Sequence, residues 1–97
     1  MIRHMVMFTW KPEATDVQKK RVLDELSRLP GVIPSIRAYA LGPDIGVNDG
    51  NWEFAASGDF DDLDGYLAYR DDHTHQAIIA EHIKPIIATR AAVQFEF

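Results

Sequence analysis

From Met1 to Trp10 the chain is apolar on both sides of an extended backbone. Ile2, His4, Val6, Phe8 and Trp10 fall on one side; Met1, Arg3, Met5, Met7 and Thr9 fall on the other. A strand with one face in water alternates apolar with polar. This pattern therefore predicts a strand covered on both sides, stopped by Pro12. The period then changes. Thr15-Asp16-Val17-Gln18 reads as a capping box, with Thr15 at the N-cap and Gln18 reaching back. Val22, Leu23, Leu26 and Leu29 recur on one face of the helix that follows, and Lys19, Lys20, Asp24, Glu25 and Arg28 on the wet face. Pro30-Gly31 ends it. Two strands are predicted next, Ile33 to Leu41 and Trp52 to Phe60, with Trp52, Phe54, Ala56 and Phe60 on one side. The glycine-rich segment between them makes the pair an antiparallel hairpin.

Asp61, Asp62 and Asp64 crowd the start of another helix, where carboxylates favour the positive end of the dipole. Leu63, Tyr66 and Leu67 carry it to a polar break at Asp71-Asp72. A further helix is predicted with Thr74 as N-cap. Its apolar face is His75, Ile78, Ile79, His82 and Ile83, and Pro85 ends it. Ile86 to Phe97 is a last strand. Ile87, Thr89, Ala91, Val93, Phe95 and Phe97 lie on one side of it; Ala88, Arg90, Ala92, Gln94 and Glu96 lie on the other.

The order βαββαβ predicts a single domain over residues 1–97 with a ferredoxin-like α+β sandwich. In that fold the helices cover one sheet face. The two-sided apolar first strand then calls for a second cover, and the economical one is a partner sheet in a homodimer. Composition narrows the functions. There is no cysteine, which removes disulfides, thiolate metal sites and thiol nucleophiles. A formal charge of −5 argues against nucleic acid as partner. No apolar run approaches a membrane span, and the N-terminus lacks the features of a signal peptide. The expectation is a cytoplasmic protein.

Candidate chemistry gathers between Tyr69 and Pro85, which hold three of the four histidines. His75 can pass protons near neutral pH. His4, on the apolar face of the first strand, is placed to reach it and fix its tautomer. His82 lies seven residues on, about 10.5 Å along a helix, too far to share a metal with His75. His73 is expected in solvent. The acidic run Asp59-Phe60-Asp61-Asp62-Leu63-Asp64-Gly65 does not match a calcium loop, since Leu63 takes a ligand position and the glycine comes late. The large aromatics Phe8, Trp10, Trp52, Phe54, Tyr66, Phe95 and Phe97 are expected in the core, at the dimer interface or around a pocket for a small apolar or aromatic ligand.

Ile2-Arg3-His4-Met5-Val6-Met7-Phe8, Gly31-Val32-Ile33-Pro34-Ser35-Ile36 and the run from Tyr69 through His75-Gln76-Ala77 to Lys84-Pro85 together resemble the stress-responsive A/B barrel (Dabb) family, over essentially the whole chain. The family pattern Tyr-x-x-His-Pro-x-His is altered here: Asp72 and His73 replace its first His and Pro, and the second His is kept as His75. The resemblance implies a dimeric α/β barrel. It also implies, from a plant polyketide cyclase of the family that forms olivetolic acid by aldol closure, that His75 is the acid/base, Tyr69 a hydrogen-bonding orienter and His4 a supporting histidine. In some plant members a magnesium ion sits on backbone carbonyls after the first helix, matching Pro30, Ile33 and Ile36. The function expected is that of a cofactor-independent lyase or cyclase acting on a polyketide-like or aromatic compound. The alternatives are a non-catalytic stress-related binding or structural dimer and a cofactor-free monooxygenase.

Overall fold

The computed structural model describes residues 1–97 throughout. Four strands, β1 (Ile2–Trp10), β2 (Ala38–Pro43), β3 (Phe54–Phe60) and β4 (Ile87–Glu96), form one antiparallel sheet in the order β2-β3-β1-β4. The helices are α1 (Asp16–Ser27), α2 (Leu63–Asp71) and α3 (His73–Ile78), and α3 runs on into a single π-turn at Ile79–Ile83. This is the ferredoxin-like α+β fold.

Register decides what each face carries, because residues paired across an antiparallel ladder point the same way. Val6 pairs with Ala56 and Ala92, and Phe8 with Phe54 and Arg90. This is the side the helices cover. Val6, Phe8, Trp10, Phe54, Ala56 and Phe60 meet Val22, Leu26 and Leu29 there in one core. Phe8 and Phe54 stack with centroids 5.9 Å apart. On the other side Met5 pairs with Ser57 and Val93, and Met7 with Ala55 and Ala91. Nothing in the chain covers that side: Met5, Met7, Val93 and Phe95 are all exposed.

The start of α1 is as read from the sequence. Thr15 Oγ1 accepts from Gln18 N–H at 3.1 Å, and Gln18 Oε1 accepts from Thr15 N–H at 2.9 Å. Other boundaries move. The second strand begins at Ala38 rather than Ile33. Ile33 instead caps the core from the loop after α1, its N–H bonded to Leu29 O at 2.8 Å. The third begins at Phe54, because Glu53 is used to close the sheet end: its N–H donates to Phe8 O, and its carboxylate accepts from Trp10 N–H at 2.7 Å.

The largest corrections fall around His75. Its helix starts at His73, not after Thr74, and the N-cap is Asp72, whose carboxylate accepts from His75 N–H at 3.1 Å. A carboxylate at the positive end of a helix caps better than a threonine hydroxyl. Beyond Ile78 the π-turn inserts one extra residue, marked by Lys84 N–H donating to Ile79 O at 2.9 Å. The buried positions are therefore His75, Ile78 and Ile83, and His82 is turned to the edge of the face it was expected to share. Leu63, expected in the α2 stripe, is exposed, and Tyr69 is the buried residue of that helix.

Candidate functional site

Between the sheet and the helices lies a cavity of about 460 Å³, within the usual range for small-molecule sites. Its apolar walls include Val6 and Phe8 from β1, Leu26 from α1 and Ile79 and Ile83 from the π-turn. His4, Tyr69 and His75 all line it, so three residues spread over seventy positions of sequence meet at one place.

His75 is 8 % exposed and held on three sides. Asp72 fixes its backbone. Its ring stacks on Tyr69 with centroids 4.2 Å apart and an interplanar angle of 26°. Its Nδ1 lies 3.3 Å from Arg70 O. A carbonyl only accepts, so Nδ1 carries the proton and Nε2 keeps its lone pair. Nε2 has no protein partner, yet no fully buried side-chain nitrogen or oxygen in the protein is left unpaired. The Nε2 atom is therefore open to the cavity. Burial pushes the His75 pKa below its ordinary value; the carbonyls of Arg70 and Tyr69 and the Asp72 carboxylate oppose that shift, and the Arg90 charge adds to it. The ring is neutral at pH 7.

His4 is 5 % exposed and packs beside the Tyr66 and Tyr69 rings, at 5.1 and 5.9 Å. The expected link to His75 is not the bond it makes. Its Nδ1 accepts from Gln94 Nε2 at 2.8 Å, across the β1–β4 ladder. His75 is oriented instead by the Arg70 carbonyl at the end of α2, which accepts from its ring nitrogen and from Gln76 Nε2. With Nδ1 accepting, neutral His4 carries its proton on Nε2. Burial, helped by the charges of Arg90 and His75, lowers its pKa to about 4.

The Tyr69 hydroxyl is not bonded to His75. It lies 2.9 Å from that of Tyr39 on β2. Burial raises the pKa of both phenols, so both stay protonated. Two hydroxyls share one bond between them, which leaves one O–H free to donate into the cavity. Gly58 leaves room for the Tyr39 ring. It lies beside both His4 and Tyr39 in the sheet, and a Cβ there would stand 3.2 Å from the Tyr39 ring.

Tyr39, Gln94 and Arg90 were not singled out by the sequence reading. The only signal available was that β4 puts Arg90 and Gln94 on the same side as small alanines. His73 lies in solvent as expected. Three of the four aspartates in the acidic run are used by structure: Asp59 pairs with Arg3, Asp61 with Arg37, and Asp62 caps α2 through Gly65 N–H. Pro30, Ile33 and Ile36 lie on the one-turn helix Leu29–Gly31 and the loop after it. The Ile33 carbonyl there already accepts from Ile36 N–H at 3.3 Å. The three carbonyls offer a cation only neutral oxygens.

The sequence from residue 2 to 97 matches the family model described as the stress responsive A/B barrel domain. The chain belongs to this family. Among curated proteins none matches it. Solved structures similar to it include a dimeric ferredoxin-like protein of unknown function from Thermobifida fusca YX. That protein is 43 % identical with a TM-score of 0.91 over 99 % of this chain and 90 % of the other. A dimeric ferredoxin-like protein from Bacteroides fragilis is 27 % identical, with a TM-score of 0.82 over 99 % and 95 % of the two chains. A hydroxynitrile lyase from Passiflora edulis shares the fold at 15 % identity and a TM-score of 0.83, over 97 % and 90 %. No helix of the chain is long and apolar enough to cross a membrane.

Proposed function

We propose that this A/B barrel protein is a lyase or cyclase that works by proton transfer at His75, without an organic cofactor. The observation that carries the reading is the fixed tautomer: Nδ1 bound to the Arg70 carbonyl, Nε2 open to an apolar cavity. A neutral imidazole so placed removes a proton from a carbon next to a carbonyl and becomes a cation. The free O–H of the Tyr39–Tyr69 pair donates to the carbonyl oxygen as the enolate charge develops. In a cyclisation the enolate carbon attacks a second carbonyl of the same molecule. The new alkoxide then takes the proton back from His75, which returns to neutral. The His4 Nε2–H is a second donor to an oxygen in the cavity. The hydroxynitrile lyase with this fold is a precedent for lyase chemistry on the same scaffold.

The reading needs no natural substrate to be tested. Acetophenone in D₂O exchanges its methyl protons through the same enolate, and NMR follows the loss of signal. The wild-type protein is expected to speed exchange above buffer, and His75→Ala to lower that rate by about 10²–10⁴-fold, the range for lost acid–base catalysis. Tyr69→Phe should lower it less. A wild-type rate equal to buffer, or an unchanged His75→Ala, contradicts the reading and leaves a binding or structural dimer.

We infer further that a second copy of the chain covers the open sheet face. Met5, Met7, Val93 and Phe95 make that face apolar, and the relative at 43 % identity is described as dimeric. Sedimentation equilibrium at micromolar concentration should give twice the chain mass.

A further inference from the structure

The cavity has the opposite charge to the chain. The protein carries fifteen acidic and ten basic side chains, for a net −5. Yet the cavity is lined by Arg70, Lys84 and Arg90 and by no aspartate or glutamate. Arg70 is already matched, its guanidinium bonded to Asp71 at 2.8 and 3.0 Å. Arg90 and Lys84 form no ion pair.

Both are placed by elements that have other reasons to put apolar residues there. Arg90 lies on the helix-covered side of β4, opposite Phe8 and in line with Ala92 and Gln94. Lys84 follows the π-turn, whose extra residue brings Ile83 into the core. Both residues are exposed at the rim while the walls deeper in are apolar. The Arg90 charge is felt inside as well, where it helps hold His4 and His75 neutral.

A fork of guanidinium donors matches a carboxylate geometrically, and an ammonium beside it adds charge. The lining fits a phosphate poorly. It contains no glycine-rich turn, and so lacks the run of backbone N–H groups that usually cradles one. We propose that the cavity takes an organic monocarboxylate, its aryl or alkyl body against Val6, Phe8, Ile79 and Ile83 and its carboxylate at the rim on Arg90 and Lys84. This rests on the cavity being the ligand site proposed above. It places the charged end at the mouth and the uncharged, reacting end inward, towards His75.

The test is isothermal titration of 4-acetylbenzoate against 4-acetylbenzamide, which has nearly the same shape and no charge. The acid should bind the wild-type protein roughly tenfold to a hundredfold more tightly, the range for a hydrogen bond to a charged group. Arg90→Gln should remove most of the preference and Lys84→Gln part of it. Added salt should weaken the acid alone. Equal affinities, a preference that survives Arg90→Gln, or no binding of either compound overturns the proposal. The acetophenone exchange is a separate arm, because that ligand is neutral. Exchange through His75 with no preference for the acid sinks this inference alone; charge-selective binding with no exchange sinks the catalytic reading alone.

Discussion

Both faces of the sheet are largely apolar, and the helix-covered one adds polar groups to its core. The side covered by helices holds His4, Arg90, Gln94 and Tyr39. The side left open holds Met5, Met7, Val93 and Phe95, and Val93 is 53 % exposed. β4, an edge strand, makes the contrast residue by residue: Arg90, Ala92 and Gln94 lie on the helix side, though exposed, and Ala91, Val93 and Phe95 on the open side. Burying polar groups costs stability unless they are paired. The buried ones here are paired, His4 with Gln94 and Tyr39 with Tyr69, and Arg90 reaches solvent. A long apolar sheet surface in water is likewise unfavourable unless something covers it. The covered side thus holds the proposed chemistry, and the open side the proposed interface.

The sharpest way to break this contrast is to charge the open face. Met5→Asp together with Val93→Asp would bury unpaired carboxylates in the interface, at roughly 3–5 kcal/mol each. The sedimenting mass should fall to that of one chain. A double variant that stays dimeric would mean that the partner does not sit on this face.

On the covered side, Leu26 belongs to the core and to the cavity wall at once. Leu26→Ala should cost about 2–5 kcal/mol in urea unfolding. A change below ~0.5 kcal/mol, the surface range, would contradict its burial. Gly58→Ala acts more locally. The added Cβ meets the Tyr39 ring at 3.2 Å and the Phe60 ring at 3.3 Å. Overpacking of this kind costs roughly 1–3 kcal/mol, and displacement of Tyr39 should slow acetophenone exchange as well.

The histidines add a graded effect. His4 titrates at about 4 in the folded protein against an ordinary 6.5, and His75 is lowered too. On acidification the unfolded chain takes up these protons first. The stability they represent is present above pH 6.5, falls as pH drops from there towards 4, and loses nothing further from His4 below that. Urea midpoints measured across this window should fall, and His4→Asn should flatten the slope. The smallest change expected is Thr15→Ala, about 0.5–2 kcal/mol for loss of the α1 cap.

What the sequence made legible was local. Thr15 and Gln18 are three residues apart, and their capping box formed as read. The β1 pattern announced a second apolar face because both of its sides are visible in ten residues. The misplaced features are those that depend on distant partners or on one inserted residue. Ile33 and Ile36 looked like a strand but fill the end of the core from a loop. The π-turn moved His82 off the buried face, since a 3.6-residue period cannot foresee an extra residue. His4 was legible as a buried imidazole, but its partner Gln94 is ninety positions away. Tyr39 gave no signal in its own strand, and its role appears only when β2 lies beside β3 at Gly58.

The central claim is that His75 is neutral, protonated on Nδ1, with Nε2 facing a ligand. Long-range ¹H–¹⁵N correlation of the His75 ring, recorded at pH 7 before and after 4-acetylbenzoate is added, tests it directly. The account predicts a pyrrole-type shift for Nδ1, a pyridine-type shift for Nε2, and a change confined to Nε2 on adding the acid. A ring protonated on Nε2, a charged ring, or an Nε2 that does not respond to a compound shown to bind would contradict it.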